Sequence, residues 1–179
     1  MERSTADQLE SLHADAFGWA LHCCGGDHAR AEDVLQNAYL KLAQERLRFD
    51  GNSSFKTWWF GVVRFTAREE FRRQRYRESL IGKLLLQLVG DAHDPRPSPS
   101  RKLELDERGA ELRRCLAQLP ARQAEVLHLV FYQDLTLREA ALVMRVGIGS
   151  ARQHYERGKA RLRTLLQESY SSFSHEPAA

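Results

Sequence analysis

Apolar residues along the chain recur mostly at intervals of three and four, and strand-like alternation is rare, so helix is the predicted element almost throughout. A first helix is predicted over about residues 7–23 and a second over about 29–46, with Leu35, Ala38, Tyr39 and Leu42 as the core stripe of the second. Asp50-Gly-Asn-Ser-Ser54 reads as a loop, and Ser53 or Ser54 suits the N-cap of a third helix running to about Arg77. On that helix Trp58, Val62 and Phe65 form one stripe, and Phe60, Val63, Ala67 and Phe71 a second on roughly the opposite side. At about 100° per residue, Arg64, Arg68, Arg72 and Arg75 line the flank between them.

The pattern breaks at Asp91-Ala-His-Asp-Pro-Arg-Pro-Ser-Pro-Ser100, where three prolines in five residues suit an extended linker. The preceding run Leu84–Val89 is too apolar for an ordinary linker and has to pack somewhere. A second helical block follows, from about residue 103 to 167. Within it Thr136-Leu-Arg-Glu139 has the form of a capping box and opens a short helix ending near Arg145. After Val146-Gly-Ile-Gly149, the stretch Ser150-Ala-Arg-Gln153 has the same form, with Ser150 as the cap of a helix to about Leu166. Two capped helices joined by a Gly-containing turn make a helix-turn-helix. The predicted fold is all-α, with two small helical domains joined by a Pro-rich linker and a helix-turn-helix in the second. The expected domains are residues 1–79 and 103–168, with a linker over 80–102 and a flexible Ser-rich tail over 169–179.

Charge adds a function class to this picture. The net charge of +3 conceals a split: residues 1–50 carry nine acids and five Lys/Arg, residues 64–77 six Arg and two Glu, and residues 138–163 seven Lys/Arg and two Glu. Two separated basic segments point to a polyanion gripped at two places, where the plainer alternative is a pair of solvated helix faces. Ala151, Tyr155, Gly158 and Leu162 share one face of the last helix, which leaves Arg152, Gln153, Glu156, Arg157 and Lys159 pointing elsewhere. The first turns of such a helix enter the major groove, where Arg and Gln read base edges and basic groups hold phosphates. On the third helix an Arg row beside aromatic rings is chemistry suited to separated strands, although most of those rings are expected in the core.

Several stretches resemble one family. Leu116-Ala-Gln-Leu-Pro-Ala-Arg-Gln-Ala-Glu-Val-Leu127, Tyr132 through Ala141 and Met144 through Leu162 are similar, without a gap, to the promoter-binding domain of extracytoplasmic-function (ECF) sigma factors. Ala31-Glu-Asp-Val-Leu-Gln-Asn-Ala-Tyr-Leu-Lys-Leu42 is similar to that family's core-polymerase-binding helix, and Arg48-Phe-Asp-Gly-Asn-Ser-Ser-Phe-Lys-Thr-Trp58 to its promoter-opening segment. The resemblance implies a transcription initiation factor that needs no cofactor. It implies that Asp33, Gln36, Asn37, Leu40 and Lys41 meet the β′ clamp helices of core RNA polymerase, with the β flap as a second contact. Asn52, Ser53 and Ser54 would capture a flipped base of the minus-ten element, a snug polar task. By themselves those three residues equally suit an ordinary turn with an N-cap. Arg64, Arg68, Arg72 and Arg75 would hold phosphates near the melted strands. Ser150, Arg152, Gln153, Glu156, Arg157 and Lys159 would lie at the minus-thirty-five element. An anti-sigma protein is a further expected partner. This chain departs from the family's usual residues at Asn37, Phe65, His154, Glu156 and Gly158.

Other classes fit less well. His22-Cys23-Cys24 with His28 lacks the paired spacing of a zinc site, so no metal is expected. Three cysteines, two adjacent, make no disulfide framework. No P-loop, dinucleotide fingerprint, HExxH or nucleophile elbow is present, which argues against an enzyme. A conventional dimeric helix-turn-helix regulator is the main rival, and the Arg-rich third helix outside the motif counts against it. No apolar run approaches the ~20 residues of a membrane span. The opening Met1-Glu-Arg-Ser-Thr-Ala-Asp7 lacks the regions of a signal peptide, so the expected compartment is the cytoplasm.

Overall fold

The computed structural model describes residues 5–88 and 107–173, and every regular element there is a helix. The chain divides into two compact units, Met1–Arg101 and Lys102–Ala179.

Unit 1 contains α1 (Thr5–Ser11), α2 (His13–Cys23), α3 (His28–Ala43) and α4 (Phe55–Leu88). The single helix expected over 7–23 is thus two, interrupted at Leu12, whose N–H still reaches the Gln8 carbonyl. Helices α2, α3 and α4 pack on one another around Ala16, Trp19, Leu35, Ala38, Trp59, Phe60 and Val63, all buried. Burying large rings here contributes roughly 1.5–3 kcal/mol per side chain. The Trp19 indole N–H also donates to the Phe60 carbonyl at 3.0 Å, so its polar edge is satisfied inside the core.

The helix ends follow from local chemistry. Asp27 caps α3 by accepting from the Arg30 N–H at 3.1 Å. After α2 the Gly25 N–H bonds to the His22 carbonyl and the Gly26 N–H to that of Leu21, the two bonds of a Schellman motif, with Gly25 at φ +66°. The same pair of bonds ends α3, from Glu45 to Leu42 and from Arg46 to Lys41, but there the left-handed residue is Glu45 at φ 54°. Helix α4 does not stop near Arg77 as expected. It continues to Leu88, so the apolar residues Leu84–Leu88 and the first part of the expected linker lie on its backbone. The proline cluster of that linker lies outside the described residues.

Unit 2 contains α5 (Glu107–Ala117), α6 (Ala121–Phe131), α7 (Leu137–Met144) and α8 (Ile148–Phe173). Helix α8 packs against each of the other three. Cys115, Leu119, Leu127 and Leu165 form a buried cluster, with Tyr155 and Leu162 packed against it. The expected end of α8 near Leu166 is corrected, as is the expected loose tail over residues 169–173, while residues 174–179 of that tail lie outside the described residues. The helix runs to Phe173, and the Ser169 hydroxyl donates to the Glu111 carboxylate of α5.

Candidate nucleic-acid and polymerase interfaces

In unit 1 the outward side of α3 is narrower than the helical wheel suggests. Asp33, Gln36 and Leu40 are exposed, Leu40 by 52%. Asn37 and Lys41 instead reach across to α4. The Asn37 amide donates to Glu70 at 3.4 Å, and the Lys41 ammonium donates to Glu69 at 2.5 Å and to the Thr66 hydroxyl at 3.2 Å. Arg73 adds ion pairs to Glu69 and Glu70 at 3.1 and 3.6 Å. The Lys41 hydrogen bond, above all, holds the Glu69 carboxyl below its ordinary range. Long polar side chains off the core stripe can still be used internally, and here those of Asn37 and Lys41 are.

The Arg row on α4 also divides. Arg68, Arg72 and Arg75 are exposed, whereas Arg64 is buried at 3% exposure. Arg64 lies four residues after Phe60 and three before Ala67, both core residues, so it sits on the inner edge of the flank. Its expected placement toward phosphate is therefore corrected. Phe65, grouped by spacing with the core, is 37% exposed and has the Lys41 ammonium 5.4 Å from its ring centroid.

The loop before α4 is a tight turn. Asp50 accepts from the backbone N–H of Asn52 at 3.2 Å and from its side-chain amide at 2.7 Å, with Gly51 at φ +73° between them. These bonds, the backbone one first, hold the Asp50 carboxyl below its usual range. Ser54 is the N-cap, accepting from the Thr57 N–H at 3.2 Å, and the Ser53 hydroxyl donates to the Ser54 carbonyl. Beside this turn the rings of Phe49, Phe55 and Trp58 lie mutually within 5.4–5.5 Å. The cluster was not predicted. The visible signal was an aromatic on each side of Gly51–Ser54.

In unit 2 the Thr136 capping box is complete. Thr136 accepts from the Glu139 N–H at 3.3 Å, and Glu139 accepts from the Thr136 N–H at 2.9 Å. The second box is corrected. Helix α8 starts at Ile148, the Gly147 carbonyl accepts its first bond from Ala151, and Ser150 lies inside the first turn, exposed. The turn's left-handed residue is likewise Arg145, at φ 54°, and neither Gly147 nor Gly149. Arg152, Gln153, Glu156 and Arg157 are exposed as a group, while Ala151 and Gly158 face inward. Lys159 is half-buried, 4.9 Å from the Tyr155 ring centroid and 3.8 Å from Glu156. Gly158 is a packing requirement. A Cβ there would come within 3.2 Å of Gln123 Cβ and of Leu127 Cδ1, so the absent side chain lets α8 approach α6 closely. Among the described residues no group of three or more His, Cys, Asp and Glu is placed to hold a metal ion, and no helix is long and apolar enough to cross a membrane.

A helical unit with an exposed Arg row and a second unit with a helix-turn-helix together define a DNA-binding transcription protein. Sigma-70 region 2 matches residues 9–77 and Sigma-70 region 4 matches residues 115–164. The chain is 26% identical over 168 residues to the ECF RNA polymerase sigma factor SigX of Bacillus subtilis, covering 93% of this chain and 86% of that protein. It is 31% identical over 121 residues to the ECF sigma factor SigF of Caulobacter vibrioides, covering 68% and 62%. The probable sigma factor RfaY of Xanthomonas campestris is 28% identical over 153 residues, 85% of this chain, which spans only 38% of that relative's length. In fold, the chain is similar to the sigma factor RpoE of Bartonella quintana, solved with the anti-sigma factor NepR, at a TM-score of 0.65 and 22% identity over 90% of this chain and 96% of that one. The chain belongs to the ECF subgroup of sigma-70 factors, proteins that direct RNA polymerase to promoters.

Proposed function

We propose the following division of labour for this sigma factor. The exposed part of α3, Asp33, Gln36 and Leu40, docks on the β′ clamp helices of core RNA polymerase. Asn37 and Lys41 support that face from within by fastening α3 to α4. The loop Asn52–Ser54 receives a flipped base of the minus-ten element, and Arg68, Arg72 and Arg75 hold phosphates of the opened strands. The first turns of α8, with Arg152, Gln153, Glu156 and Arg157, read the minus-thirty-five element, while unit 2 also meets the β flap. Activity lies in the cytoplasm, with no catalysis by this chain and no cofactor. Because RpoE of Bartonella quintana, which shares this fold, was captured with the anti-sigma factor NepR, we extend that expectation to this chain.

The observation that carries this reading is the separation of exposed basic surface onto two helices, α4 and α8, each backed by its own core. It is tested by docking. Gln36→Ala with Leu40→Ala is expected to weaken co-purification with core polymerase, by ~1–2 kcal/mol per anchor, without loss of helical content. Unchanged co-purification by the folded double variant would remove α3 from that role.

A further inference from the structure

Ile148 is an apolar residue in an unexpected place. It is the first residue of α8, and 46% of it is exposed. First helical turns favour proline or acidic and capping residues, and isoleucine supplies neither a fixed φ nor an acceptor. The fold does not use it as a core residue, since the inward residue of that turn is Ala151, fully buried. Its neighbours Gly147 and Gly149 are exposed, and a Cβ at either would meet nothing within 4 Å. The half-exposed side chain therefore stands between two positions that carry no side chain, where the helix start can approach a surface closely. Arg152, one turn later, lies on the same side and is exposed.

We propose that Ile148 reads a thymine methyl group in the major groove of the minus-thirty-five element, as a specificity residue beside Arg152 and Gln153. The inference rests on the proposed role of α8 and deepens it. The reasoning is chemical. The edges of unmodified base pairs in the major groove present hydrogen-bond donors and acceptors and one apolar group, the thymine C5 methyl. A branched alkyl side chain, which neither donates nor accepts a hydrogen bond, recognises that group by removing both from water. Arg152 and Gln153 would supply hydrogen bonds to adjacent edges, so the first two turns would read both kinds of group.

The test replaces single thymines of the upstream element by uracil, which removes the methyl and keeps every hydrogen-bonding group. The full chain with core polymerase would first be used to find a promoter by transcription of fragmented genomic DNA. With the wild type, uracil at one upstream position is expected to lower affinity about fourfold, the equivalent of one buried methyl group. Ile148→Ala should bind the thymine and uracil forms of that position equally, and Ile148→Val should keep most of the discrimination. Indifference of the wild type to every uracil, or undiminished discrimination by Ile148→Ala, would overturn the proposal. Discrimination retained by Arg152→Ala at that same position separates the methyl contact from a general weakening of α8, and its loss would count against Ile148. Should the wild type select no promoter at all, the role of α8 itself fails, a different outcome from uracil indifference.

Discussion

The Lys41 ammonium and the Glu69 carboxylate form an ion pair across the α3–α4 seam, Nζ to Oε2 2.5 Å, with only 19% and 24% of the two side chains exposed. Because the Glu69 carboxyl is held below its ordinary value of 4.5, its stabilisation is complete above that pH and fades as pH falls through the folded-state value. Glu69→Gln is expected to cost ~1–2 kcal/mol at pH 7 and much less at pH 3. Urea unfolding at the two pH values measures it, and an equal cost at both would contradict the assignment.

Glu45 is left-handed without being glycine. Relieving that conformation should outweigh glycine's entropy cost, so Glu45→Gly is expected to stabilise unit 1 by ~0.5–1 kcal/mol. The Glu45–Arg48 pair it removes is 76% and 80% exposed on its two side chains and so contributes little. A lower denaturation midpoint in the variant would refute this.

Gly158 gives the opposite case. Gly158→Val should destabilise unit 2 by ~2–3 kcal/mol through overlap with Gln123 and Leu127. Gly158→Ala should cost far less, because its helix preference of roughly 1 kcal/mol offsets part of the clash. Thermal melts of the two variants should rank in that order.

The thiols should also differ. Burial, and then the nearby Asp27, push Cys24 up to about 11, and burial raises Cys115 as well. Alkylation proceeds through the thiolate, so iodoacetamide at pH 8 should modify half-buried Cys23 before either. Peptide mapping that found Cys24 labelled first would show that α2 opens at its end.

Reading and gripping should fail differently. Arg152→Ala or Gln153→Ala should cost ~1–3 kcal/mol on the cognate promoter and relax preference at one or two upstream positions. Arg68→Ala or Arg72→Ala should weaken binding across promoters, lower the salt slope by about one per lost contact, and reduce permanganate reactivity of unpaired thymines. Identical losses in both classes, with no polymerase-dependent opening by the wild type, would favour a conventional regulator.

How far these features were legible depends on what each residue's environment adds to its spacing. The core face of α8 and the Thr136 cap follow from local pattern, and both stand in the structure. Ser150 also fitted a capping pattern, but a cap depends on which carbonyl accepts the first helical bond, and that is Gly147. Arg64 and Trp59 show the limit of an ideal helical wheel. Arg64 is drawn inward beside Phe60, while Trp59, which falls between the two predicted stripes, is fully buried with its ring 5.1 Å from that of Tyr39. Asn37 and Lys41 were correctly placed off the core stripe, yet their side chains are long enough to find partners on α4, which no single-helix pattern records.

The division of α8 into an inward face and an exposed one bears on how such a protein changes over time. Arg152, Gln153, Glu156 and Arg157 are exposed and outside the buried cluster, so substitutions there should shift stability by no more than about 0.5 kcal/mol. Ala151, Gly158 and Leu165 hold the same helix in place from its other side. Under the reading proposed for α8, promoter preference can drift one base at a time while the scaffold stays as it is. A duplicated copy of this chain could acquire a new set of target genes before it met any penalty in folding.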